Sequence, residues 1–262
     1  MNEASMNVVG GLGKCITVNN EKGGIGKSSV VFNIGWQLAS LGKKVLLIDM
    51  DGQEANLTAF CGIKKDESLL TTYDVLVRGK APNEAIKAVK ENLDLLPATS
   101  EISQINQTAR TKTIKSVINE LRSEYDFIFI DAPGSTNWGQ FLALSASDYS
   151  LIPMLPDMTS IDANKGIIDT IEEVREVANA NLKVLGILFN KNENRTNLSK
   201  TVKSITQKIA VKMDTTVFEN AIRSATVMGE AYAMHKGITD YKPKSDVADD
   251  VRQVTEEFLR RV

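Results

Sequence analysis

Apolar residues in this chain fall into two patterns that alternate from one end to the other. Short runs that are apolar along most of their length are CITVNN (15–20), KKVLLIDMD (43–51), LDLLP (93–97), DFIFIDAPG (126–134), YSLIPML (149–155) and LKVLGILFN (182–190). Their length and lack of polar interruption predict strands buried on both faces. Between them lie segments whose apolar residues recur every three or four positions: 28–42, 111–125, 167–180, 196–210 and 246–262. In the first of these, Val30, Ile34, Leu38 and Leu41 share one helical face and Gly42 supplies a stop. Buried strands alternating with amphipathic helices predict an α/β fold, a doubly wound and mostly parallel sheet with helices on both faces. No repeat, low-complexity tract or linker divides it. The pattern reads as a flexible lead over 1–13, broken by Gly10, Gly11 and Gly13, followed by one domain over 14–262. In such sheets ligands bind beyond the carboxyl ends of the strands, and the polar signatures of this sequence fall there.

Composition narrows the function classes. The 262 residues are 42% hydrophobic with a formal net charge of -2, which fits neither a strongly basic nucleic-acid protein nor an acidic tail, though a local basic patch remains open. Cys15 and Cys61 form no Cys-x-x-Cys pair, so they read as thiols in a reducing compartment. No secretory leader and no apolar run near ~20 residues is visible, which predicts a cytoplasmic location. The single histidine, His235, argues against histidine-based catalysis.

The segment NNEKGGIGKSSV (19–30) sits between the first strand and the first helix, the context a phosphate-binding loop requires. Gly23, Gly24 and Gly26 let backbone N–H groups turn toward an anion, and the following helix points its positive end at the same place. Lys27 is placed to reach β- and γ-phosphates and the Ser28 hydroxyl to ligate Mg²⁺. Glu21, Gly23, Gly24, Ile25, Gly26, Lys27, Ser28 and Ser29 are the expected nucleotide-binding segment. Glu21 stands where the general motif has its first glycine, and an extra lysine, Lys22, precedes the glycine pair.

Lys-Gly-Gly-x-Gly-Lys-Ser is the deviant Walker A arrangement, and with it the chain resembles the ParA/MinD/Soj P-loop ATPases. These position plasmids, chromosomes and other cargo, and the short ParA-type partition ATPases are the nearest in pattern. The resemblance implies a P-loop NTPase fold, ATP and Mg²⁺ as cofactors, and Mg²⁺-dependent ATP hydrolysis. It also implies a homodimer sandwiched around two ATP molecules, in which Lys22 reaches the partner's phosphates. At 49–56, DMDGQEAN resembles the family's Asp-x-Asp-Pro-Gln-x-Asn, with Gly52 in place of proline and Gln53 and Asn56 kept. By that resemblance Asp49 supports the metal shell and Asp51 orients or activates the attacking water. Asp131, closing the apolar run YDFIFI, reads as a Walker B carboxylate that holds Mg²⁺. Gly134 then stands where the family often has a second proline. Asn190 ends its strand where the family often reads adenine, although an asparagine closing a strand in a turn explains it equally well.

Three roles compete for such an ATPase. A ParA-type protein binds DNA without sequence preference and is discharged by a ParB-like partner. Basic residues for that task are Lys191, Arg195, Lys200, Lys203, Lys208, Lys212, Arg223 and Lys236, with Lys200, Lys203, Lys208 and Arg223 the named contacts. This reading places the protein on the nucleoid when ATP is bound. A MinD-like protein binds membrane through a C-terminal amphipathic helix. Here the stripe Val247, Val251, Val254 and Phe258 is backed by Asp249, Asp250, Glu256 and Glu257, an acidic face ill suited to a membrane surface. Iron–sulfur scaffolds, reductases and small ligases form the third class, and the isolated cysteines argue against cluster binding. The length leaves no room for the extra N-terminal DNA-reading domain of larger plasmid relatives.

Overall fold

The computed structural model describes residues 12–52, 57–105, 113–134, 137–192 and 197–262, with backbone alone at 137, 162–165 and 197–200. Its strands are β1 (Lys14–Val18), β2 (Val45–Asp49), β3 (Lys87–Lys90), β4 (Leu93–Leu96), β5 (Phe127–Asp131), β6 (Tyr149–Met154) and β7 (Lys183–Phe189). They form a seven-stranded sheet in the order β3-β4-β2-β5-β1-β6-β7. Every pairing is parallel except β3 with β4. The helices are α1 (Lys27–Ser40), α2 (Leu57–Phe60), α3 (Thr72–Leu76), α4 (Pro82–Ala85), α5 (Ile114–Leu121), α6 (Asn137–Ser145), α7 (Met158–Val177), α8 (Asn197–Lys212), α9 (Val227–Ala233), α10 (Ile238–Tyr241) and α11 (Asp246–Arg261).

The uninterrupted apolar runs have a direct cause. Successive side chains on a strand face opposite ways, and both faces are covered. Val45 and Leu47 of β2, with Phe127 and Phe129 of β5, pack under α1 and α11. Leu46, Ile48, Ile128 and Ile130 pack under α5 and α6 on the other face. A third cluster joins β6 and β7 to α7 and α8. The α11 stripe belongs to the first cluster: Val251, Val254 and Phe258 are fully buried, and the Phe258 ring meets Phe127 at 5.5 Å and Phe129 at 5.4 Å. α11 is therefore a core element. Among the described residues no helix is long and apolar enough to cross a membrane.

Several elements depart from the sequence pattern. The β3 strand, KAVK, has no apolar run; it is a short half-buried edge carrying lysines, which discourages further pairing. It returns to β4 through Asn92 in the left-handed region at φ 63°. α7 begins at Met158, well before the predicted 167, because the Asp157 carboxylate accepts from the Ser160 N–H at 2.7 Å and caps it. The lead over 1–11 and the Gln53 and Asn56 positions lie outside the described residues.

Topology gathers the polar signatures. Val18 pairs with Asp131 and Asp49 pairs with Asp131, so the ends of β1, β2 and β5 lie side by side. Beyond β7, the segment 217–223 runs along the sheet edge, bridging Ile187 to Val217 and Asn192 to Arg223.

Candidate nucleotide site

The loop after β1 is pinned by Asn20, whose Nδ2 donates to the Pro153 carbonyl at 2.8 Å while its Oδ1 accepts from the Lys22 N–H at 3.0 Å. Gly24 and Gly26 adopt φ 75° and 89°, and Gly26 starts α1. A Cβ at Gly26 would run into the Asn190 amide, so this position combines a left-handed backbone with a close approach. Asn190, nearly buried, donates to the Ile25 carbonyl at 2.7 Å, and Lys191 Nζ donates to the Gly24 carbonyl at 2.8 Å. The loop's carbonyls are thus tied back toward β7, which leaves its N–H groups to face a ligand.

That loop borders a cavity of about 330 Å³. Its lining includes Gly24, Gly26, Lys27, Ser28, Ser29 and Asp51. The rest of the lining is Asn190, Lys191, Ile222, Arg223, Ser224, Ala225 and Met228, with Phe60 and Tyr232 as an aromatic side wall. Lys27 is 6% exposed, and among the described residues its ammonium makes no hydrogen bond or ion pair. A buried cation at a helix N-terminus suits the binding of an anion. The ammonium lies beside Gly134, where an added Cβ would come within 2.9 Å of it. The glycine in place of the family's proline fits that approach.

The acids divide sharply. Both carboxylate oxygens of Asp131 are buried without a hydrogen-bond partner. Burial pushes its pKa well above the ordinary value and neighbouring Asp49 adds to this, while Ser28 and Lys27 pull the other way. An orphaned carboxylate beside a serine hydroxyl at a phosphate loop suits a hard cation such as Mg²⁺, which takes one or two protein oxygens and keeps its waters. Asp49, which the resemblance assigns to the metal shell, is engaged by protein donors. Its Oδ1 accepts from the Asp51 and Gly52 N–H groups at 3.0 and 3.2 Å, and its Oδ2 from the Thr58 N–H and hydroxyl at 3.1 and 2.6 Å. Those donors occupy both oxygens, so Asp49 shapes the loop that carries Asp51. Asp51 lies half-buried at the cavity; burial raises its pKa and Asp49 adds to the rise, whereas Lys27 lowers it.

Other predicted residues fall beside the cavity. The Ile25 side chain is fully buried and only its carbonyl is engaged. The Glu21 carboxylate lies against Gly166 of α7. Lys22 does not line its own chain's cavity. Its ammonium donates to Asp157 Oδ1 and Oδ2 at 3.1 and 3.0 Å, to Thr159 Oγ1 at 2.6 Å and to Ser160 Oγ at 3.1 Å. The loss of hydration on burial is outweighed there by hydrogen bonds from Ser160, Lys22 and Thr159, which hold the Asp157 pKa down at about 2.

Sequence reasoning missed this cradle, although an Asp three residues before a Ser at a helix start is a capping signal. It also missed the side wall. Tyr232 stacks on Phe60 at 4.1 Å, its hydroxyl meets the Ser29 hydroxyl, and Asn33 Nδ2 donates to it at 3.1 Å. No local motif marks a tyrosine some 200 positions from the loop it touches. Cys15 and Cys61 are both buried, away from the cavity. Burial pushes the Cys15 thiol up to about 12, as suits an inert core residue.

A family model described as an AAA domain matches residues 13–184. The chain is 33% identical to the sporulation initiation inhibitor protein Soj of Bacillus subtilis over 245 residues, covering 91% of this chain and 95% of that one. The chain belongs to the ParA/MinD type of P-loop ATPases. It is 31% identical to the chromosome-partitioning ATPase Soj of Thermus thermophilus, covering 94% of this chain and 96% of the relative. Among solved structures, the septum site-determining protein MinD of Pyrococcus horikoshii, complexed with Mg-ADP, superposes with a TM-score of 0.76 at 25% identity, covering 94% and 96% of the two chains. As a member of this family the chain is an ATP hydrolase, with ATP and Mg²⁺ as its ligands.

Proposed function

We propose that this chain is a ParA-type positioning ATPase that dimerises around Mg²⁺-ATP, holds DNA without sequence preference and is released when a ParB-like partner stimulates hydrolysis. The observation that carries this reading is Lys22. Its ammonium sits outside its own cavity, with the side chain 26% exposed, on polar contacts that a small movement can exchange. A lysine fixed in cis would be built into the cavity wall, as Lys27 is.

In the dimer Lys22 of each chain meets the γ-phosphate held by the other. Lys27 and the N–H groups of the loop bind the β- and γ-phosphates, and Lys22 offsets charge that develops in phosphoryl transfer. Ser28 and Asp131 hold the metal ion, and Asp49 sets the loop so that Asp51 can orient the attacking water. Mg²⁺, when bound, would supply positive charge that offsets the charge on the phosphates. The Asn190 end of the cavity takes the base and sugar.

For DNA, α8 offers Lys203, Lys208 and Lys212, with Lys208 and Lys212 exposed and Lys203 over the Phe189 ring at 6.0 Å. The Lys200 side chain and Arg195 lie outside the described residues. Arg223 is bonded to Asp246 and Asp250, so the DNA reading rests on α8. The membrane-bound alternative loses its support with the burial of the α11 stripe. The protein would be nucleoid-associated when ATP-bound. The test is retention on nonspecific duplex DNA. It should require Mg²⁺-ATP and fall steeply as salt rises; retention indifferent to ATP or salt, or ATP-dependent sedimentation with liposomes, would overturn the reading.

A further inference from the structure

We propose that Arg223 and Asp250 are positioning residues of the nucleotide site, a clamp through which the C-terminal helix fixes the base end of the cavity. This rests on the reading that the base lies at the Asn190 end. Arg223 bonds the first turns of α11 through both its backbone and its side chain. Its N–H and Nε donate to Asp250 Oδ2 at 3.0 and 2.6 Å, its Nη2 to Asp250 Oδ1 at 2.9 Å, and its Nη1 to Asp246 Oδ2 at 2.7 Å. Asp250 is only 9% exposed and the Arg223 side chain 44%, so the charge-assisted bonds are sheltered on the carboxylate side and screened on the guanidinium side. A second carboxylate anchors the approach to this segment: Glu257, 3% exposed, accepts from the N–H groups of Glu219 and Asn220 at 2.9 and 3.0 Å.

The far side of the same segment is tied to β7. The Ile222 N–H donates to the Phe189 carbonyl at 3.0 Å, and its carbonyl accepts from the Asn192 N–H at 2.9 Å. Between those attachments stand Asn190 and Lys191, which hold the phosphate loop by its Ile25 and Gly24 carbonyls. Lys191 makes this turn in the left-handed region, at φ 50°, a conformation that needs support from its surroundings. The connection therefore runs unbroken from α11, through 219–223 and 190–192, to the phosphate loop. α11 itself cannot shift easily, because its apolar stripe is packed against α1 and β5.

This arrangement decides between two uses of Arg223. As a DNA contact its guanidinium would have to face a phosphate, yet Asp246 and Asp250 flank it and would repel the same phosphate. As a clamp it leaves Ile222 to Ala225 fixed as a wall of the cavity. On that reading the wall meets base and sugar directly, and the clamp reaches the phosphate loop only indirectly, through Asn190 and Lys191.

Calorimetry of the full chain with Mg²⁺-ATP and with Mg²⁺-tripolyphosphate separates these uses. Asp250→Asn and Arg223→Gln should each weaken ATP binding roughly tenfold, with a clearly smaller loss of tripolyphosphate affinity. The double variant should lose no more than the worse single one. DNA retention at saturating ATP should match wild type. Unchanged ATP affinity would overturn the clamp, as would a parallel loss of both ligands, which would mean general loosening. Loss of DNA retention by Arg223→Gln at saturating ATP would make Arg223 a DNA contact instead. Wild-type protein that bound tripolyphosphate as tightly as ATP would overturn the placement of the base, and the proposal with it.

Discussion

At the scale of single residues, burial and pairing assign the work. Lys27 is buried and unpaired, and Asp131 is buried and unpartnered. An anion beside Lys27 and a cation beside Asp131 would offset the cost of burying those charges, so nucleotide and metal should stabilise the fold. Lys27→Ala should abolish the rise in Tm that Mg²⁺-ATP gives the wild type, a gain of about 2.7 kcal/mol when ligand is a hundredfold above Kd; an undiminished rise would sink the site assignment. Asp51→Ala should keep ATP binding and slow hydrolysis, measured as phosphate release at saturating ATP. Equal loss of both would make Asp51 part of the loop's framework. Asp157→Asn should loosen the cis contact of Lys22 and lower the ATP concentration at which dimers form, at a stability cost below about 1 kcal/mol. Because the Asp157 pKa is depressed from 3.8 to about 2, its contribution is present above the ordinary value and disappears as pH falls through about 2. The stability difference between wild type and Asp157→Asn should vanish over that window.

The residues that carry the phosphate loop were legible because their geometry is local. Gly26 and Lys27 act through the chain they sit in, and spacing alone exposes them. Asp49 was legible as a strand-end acid but not as a loop-holder, since Thr58 reaches it from the next helix. Asp157 and Tyr232 come from distant elements, and only the folded chain brings them to Lys22 and Ser29.

At the scale of elements, every apolar run in the sequence became a strand, because each is buried on both faces. What the pattern hid were elements without periodicity of their own: the polar edge strand β3 and the short helices α3, α4, α9 and α10. Short elements are held by neighbours, as Asp74 holds the start of α3 by accepting from the Thr71 N–H and hydroxyl, each at 2.8 Å. α11 shows the reverse case, a strongly amphipathic helix whose apolar face could have met a membrane. Its Phe258 is fully buried against β5, so Phe258→Ala should cost about 3–5 kcal/mol, read as a lowered midpoint in denaturant. A midpoint within error of wild type would mean that α11 is docked loosely and free to act elsewhere.

At the scale of the whole molecule, the fold gathers the polar signatures at the carboxyl ends of the strands. The ends of β1, β2 and β5 hold the phosphate loop, Asp49 and Asp131 on one face, and Lys22 stands at the edge of that face, held by the start of α7. Exchange of Lys22 from Asp157 to a partner's γ-phosphate would make assembly depend on ATP. Sedimentation velocity with Mg²⁺-ATP tests this most directly, using Asp51→Ala to slow turnover and comparing it with the Lys22→Ala, Asp51→Ala double variant. The single variant should sediment as a dimer and the double variant as a monomer that still binds ATP. Equal dimerisation by both, or a single variant that stays monomeric at saturating ATP, would contradict the account.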